Sequence, residues 1–77
     1  MTKETAARVH QLLLDCSRSL DTSVTVVQNE SDESDLHEYR HAVGRVLMAV
    51  FDELMMPIYR EYPDLIPPEL DRRSLRL

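Results

Sequence analysis

Residues 36–58, LHEYRHAVGRVLMAVFDELMMPI, decide the fold. Leu36, Tyr39, Val43, Val46/Leu47, Val50, Leu54 and Ile58 recur at steps of three and four, which sets them on one face of a helix. Upstream, Ala6, Val9, Leu13, Cys16, Leu20, Val24 and Val27 repeat that spacing. The intervening segment, residues 28–34 (QNESDES), holds no apolar side chain and is rich in turn and capping residues. Two amphipathic helices around a short polar break predict an all-α protein, a long antiparallel helical hairpin. A hairpin has no second layer to cover both stripes. The pattern therefore calls for self-association, most simply a homodimer that forms a four-helix bundle.

The expected limits follow from local chemistry. Helix 1 spans about 3–27, with Thr2 as N-cap and Glu4 at the positive end of the helix dipole. Thr22 to Val27 is β-branched except for Ser23, which lowers helix propensity there. The acidic loop covers about 28–34, with Ser31 or Ser34 capping the second helix. Helix 2 runs from about 35 to 62 and kinks at Pro57, whose missing N–H and ring disturb the preceding turn. Residues 1–64 thus form the hairpin. Residues 65–77 form a proline-rich arm and basic tail, in which Leu65, Ile66 and Leu70 pack back and fraying begins near Arg72. Leu13, Leu20, Val43, Val50 and Leu54 are the expected core. Cys16 is expected among them as a buried small hydrophobe, and His10 at the edge of the first stripe.

Composition limits the function classes. The chain has 77 residues, near the size at which a single core is only marginally stable. One Gly and four Pro leave too few turn residues for an all-β domain. The net charge is −5, and three of the nine bases (Arg72, Arg73, Arg76) sit at the C-terminus. The rest of the chain is more acidic still, which disfavours nucleic acid and anionic membranes as partners. A single cysteine allows no intramolecular disulfide and suits a reducing compartment. No uninterrupted apolar segment marks a secretory leader, and the longest apolar run, Val46 to Phe51, is too short to cross a bilayer. A cytoplasmic protein is expected.

One motif carries potential chemistry. His37-Glu38-Tyr39-Arg40-His41 matches H-E-x-x-H, and with Gly44 it resembles the opening of the metzincin zinc-peptidase signature. On a helix, His37 and His41 share a face and suit a metal ion, while Glu38 would activate a water. The resemblance ends at position 47, where the extended signature requires a third histidine and this chain has Leu47. The expectation is therefore no catalytic residues, no cofactor and no metal, with His37 and His41 as the residues to examine.

Helix 2 carries more apolar side chains than one stripe needs. Met48, Phe51, Met55, Met56 and Tyr59 lie beside or behind the main line, and exposed patches of that extent usually mark an interface. Small Ala42 and Gly44 on the same helix would let a neighbour approach. These five residues are the expected interface. The function expected is a non-enzymatic protein–protein interaction module, a small acidic homodimeric adaptor, inhibitor or regulator. The alternative is a metal-binding protein or metal-dependent hydrolase using residues 37–41.

Overall fold

The computed structural model of the chain describes residues 1–70. Every regular element among them is helical: α1 (Lys3–Glu30), α2 (Glu33–Ala49), a π-helical turn (Val50–Met55), α3 (Met56–Glu61) and a 3₁₀ turn (Pro63–Leu65). α1 packs along α2 as the hairpin, and the elongated molecule measures 44 × 24 × 20 Å. The expected fraying from Arg72 lies outside the described residues.

Thr2 caps α1 as its sequence predicts, its hydroxyl accepting the Thr5 N–H at 3.2 Å. The β-branched segment does not end the helix, which continues to Glu30 instead of stopping near 27. Thr22 and Ser23 donate their hydroxyls to the carbonyls of Arg18 (3.0 Å) and Leu20 (2.6 Å), so their polar groups are satisfied within the helix. Ser31 N–H closes the last turn on Val27 O at 2.9 Å. The break shrinks to residues 31–32, and Asp32 takes the capping role expected of Ser31 or Ser34. Its carboxylate accepts the Asp35 N–H at 2.8 Å, a charge-assisted bond at the positive helix end.

Pro57 does not break the second helix. The chain widens upstream of it into the π-helical turn, where Met56 N–H reaches Phe51 O, five residues back. Such a turn relieves the clash between a proline ring and the carbonyl four residues earlier. It also delays the helical phase by one residue. The core line therefore passes through Met55 and Tyr59, and Leu54, expected inside, is 51% exposed.

The buried hydrophobic cluster is Ala6, Met55, Met56, Ile58 and Tyr59, all at the end of the hairpin where α1 begins and α3 finishes. Leu65, Ile66 and Leu70 of the arm pack against it, in agreement with the expected docking. Tyr62 donates its hydroxyl to Met1 O, and Lys3 pairs with Asp64, so the arm is also tied to the start of α1. That pairing raises the Lys3 pKa and lowers that of Asp64, in each case chiefly through the hydrogen bond between them. Toward the loop the packing thins. Val43 is the one buried hydrophobic residue there among the described residues, while Leu13, Leu20 and Val50 are only half-buried. Cys16 is exposed, correcting its expected burial. The neighbouring Ser17 turns inward in its place, with its hydroxyl satisfied by Leu13 O at 2.9 Å.

Candidate functional site

Three groups of residues bear on function: the histidine pair of α2, the apolar residues expected at an interface, and a buried polar pair at the centre of the core. α2 sets His37 and His41 one turn apart on its outer flank, both exposed. Their ring centroids lie 4.5 Å apart with the planes at 53°. Glu38 is also exposed, but it follows His37 by one residue and so points roughly 100° away around the helix. No group of three or more His, Cys, Asp or Glu among the described residues is arranged to hold a metal ion. A closed tetrahedral site needs four ligands and a catalytic zinc site three, so two histidines form neither. Beside His41 the same flank forms an open groove lined by Arg40, Gly44, Arg45 and Met48.

The five expected interface residues separate. Met48 is 61% exposed and Phe51 is half-buried, whereas Met55, Met56 and Tyr59 lie inside the chain's own core. Those three do not remain exposed in the single chain, which corrects that part of the expectation. The cause is the π-helical turn, which rotates them under the N-terminal turns of α1 and the arm.

Sequence reasoning missed the buried pair. His10 (8% exposed) and Tyr59 (fully buried) place Nε2 and the phenolic oxygen 2.7 Å apart, with the rings edge to face at 5.2 Å. The Tyr59 hydroxyl also faces Met55 Sδ at 4.0 Å, and the Phe51 ring packs edge-on at 6.3 Å. Burial holds the His10 imidazole below its ordinary pKa and pushes the Tyr59 phenol above its own, so both are neutral at pH 7. A neutral donor–acceptor pair inside an apolar cluster fixes how α1 docks on α3. Among the described residues, neither group lines any of four surface clefts, on α1, on α2, between the two at the loop end, or beside Pro57. One signal was available: His10 follows Ala6 by four residues and lies on the buried line. Its partner is 49 residues away and left no local trace.

No family model, curated protein or solved structure matches this chain. No helix among the described residues is long and apolar enough to cross a membrane.

Proposed function

We propose that this protein is a non-enzymatic protein–protein interaction module, a small acidic adaptor, inhibitor or regulator that works as a homodimer, its two hairpins forming a four-helix bundle. The observation that carries this reading is the uneven core. Among the described residues, five of the six buried hydrophobic ones gather at the terminal end, while Leu12, Val26, Val46 and Met48 are about half to two-thirds exposed along the remaining length. A two-helix arm with so little burial gains little from packing in isolation, and helices in water depend on an amphipathic face being covered. The acidic body favours protein over nucleic acid as the partner. A lone, exposed Cys16 suits the reducing cytoplasm. Sedimentation equilibrium at micromolar concentration tests the homodimer: a mass twice the 9.0 kDa of the chain is expected, and a monodisperse monomer would overturn it.

A second reading, metal binding by His37 and His41, is favoured by the 4.5 Å separation of their rings. A helical i,i+4 histidine pair supplies two nitrogen ligands to a zinc ion, leaving the other positions to water or a further protein. Calorimetric titration with zinc tests it. Heat saturating at one ion per chain and lost in His41→Ala supports the pair, and no heat in the wild type refutes it.

A further inference from the structure

We infer that the groove around Gly44, on the outer flank of α2, docks an acidic amphipathic helix of another protein. This rests on the interaction-module reading above and supplies the surface and the chemistry of the partner; it does not depend on the homodimer. Spacing argues for a helix. His41, Gly44, Arg45 and Met48 stand at i, i+3, i+4 and i+7, the corners of a hole that receives one side chain from a facing helix. Gly44 is the chain's one glycine, set in mid-helix where alanine is the better helix former. Nothing in the described chain crowds it, since a Cβ there would meet no atom within 4 Å. The missing side chain instead deepens the hole. Met48, one turn on, is 61% exposed, and its unbranched thioether can settle against an incoming apolar group. With Arg40 at its edge the groove has a volume of about 630 Å³, the roomiest of the four clefts among the described residues.

Charge names the partner. Residues 39–51 carry two arginines and no acid, in a chain whose net charge is −5. Among the described residues Lys3 and Arg18 pair with Asp64 and Asp15, whereas neither Arg40 nor Arg45 pairs with a carboxylate. Glu38 and Asp52, the nearest acids along the helix, do not line the groove. Five residues set the two arginines roughly 140° apart around the helix and about 7.5 Å along it, so they stand on opposite rims. A facing helix that seats one apolar side chain in the hole and carries carboxylates on both flanks satisfies both guanidiniums.

Other occupants fit less well. The negative charge of the whole chain repels nucleic acid and anionic membranes. A second copy placed two-fold across the groove would set arginines against arginines. Placed head to tail, with its acidic loop in the groove, it would add further copies without closing.

A nuclear magnetic resonance titration of the full chain tests the assignment by reading amide shifts residue by residue. The probe is a synthetic heptad-repeat helix with Leu at a and d and Glu at e and g; its control carries Lys in place of Glu. Saturable shifts centred on residues 37–48, weakened by salt and absent with the lysine peptide, are expected. Arg45→Glu should weaken binding about tenfold or more. Gly44→Leu fills the hole with a better helix former and should abolish binding. Arg8→Glu, on α1, makes the same change in net charge and should leave it unaltered. No shifts in the wild type, shifts centred elsewhere, an equal response to the lysine peptide, or binding that survives both groove variants overturns the assignment. So does tighter binding of a single-stranded oligonucleotide at the same residues. Should Gly44→Leu lose its helical circular dichroism, Arg45→Glu decides. Sedimentation separates the two readings: a wild-type monomer that binds the peptide overturns the homodimer alone, and a dimer lost in a helical Gly44→Leu means that the second copy fills the groove and overturns the acidic partner.

Discussion

Removing a single oxygen from the core tests the role of the His10–Tyr59 pair. Tyr59→Phe keeps the ring, its edge-to-face contacts and its volume, but leaves Nε2 of a largely buried His10 without its partner at 2.7 Å. A buried polar group stranded in this way costs about 1–3 kcal/mol, more than the bond's net worth of about 0.5–1.5 kcal/mol. At about 0.05–0.15 kcal/mol per residue, 77 residues hold only about 4–12 kcal/mol in total. The loss should therefore be easy to see, each kcal/mol lowering the melting temperature by about 4–8 °C. His10→Leu in the Tyr59→Phe background removes the stranded group and should recover part of the loss. A coupling energy of about 1–2 kcal/mol between the two sites follows. Urea denaturation at one fixed protein concentration measures all four proteins, since association shifts apparent stability. If Tyr59→Phe unfolds within about 0.5 kcal/mol of wild type, or the double variant loses the full sum of the single losses, the pair does not hold the core.

Protonation tests the same site from another direction. The unfolded chain binds a proton at His10 near 6.5, whereas the folded chain does so only at lower pH. The resulting stability is fully present above 6.5 and is lost as pH falls toward the folded pKa; His10→Leu should flatten this part of the stability profile, and an unchanged profile would contradict it. Ile58→Ala, inside the cluster, should cost about 2–5 kcal/mol in denaturation, and Leu54→Ala, half-exposed in the single chain, less than about 1 kcal/mol when measured at a protein concentration below the dimerisation range. A larger loss at Leu54 would contradict the phase set by the π-helical turn. Gly44→Ala should raise stability by about 0.5–1 kcal/mol, because a Cβ there meets nothing within 4 Å and alanine is the better helix former. A fall in melting temperature would mean that something packs on Gly44.

The hairpin was legible in the sequence because two long stripes share one period and one polar break separates them. Thr2 as cap and the packing of Leu65, Ile66 and Leu70 were legible for similarly local reasons. Position within a stripe was less so. Cys16 and Ser17 are neighbours near the edge of a face, and hydrophobicity favours the cysteine. A serine can turn inward when its hydroxyl bonds the carbonyl one turn back, and this one does. Pro57 announced a disturbance, but a π-helical turn and a kink leave the same mark in the sequence. Only the former shifts Leu54 outward and Met55 inward. Met55, Met56 and Tyr59 read as surplus beside a single stripe because that shift, and the arm that covers them, are tertiary events. The His10–Tyr59 bond joins residues at opposite ends of the chain, beyond the reach of any local pattern.

Hydrogen exchange along α1, measured as a function of total protein concentration, tests most directly the claim that a second copy completes the thin half of the core. Amide protection follows the free energy of local opening, which is low where few apolar contacts are buried. Protection across residues 12–26 is expected to rise as the protein is concentrated through its dimerisation range, while residues 56–61, anchored in the cluster with Ala6, change far less. Protection of residues 12–26 that is independent of concentration would contradict the claim, because the hairpin would then hold its loop-side half without a partner.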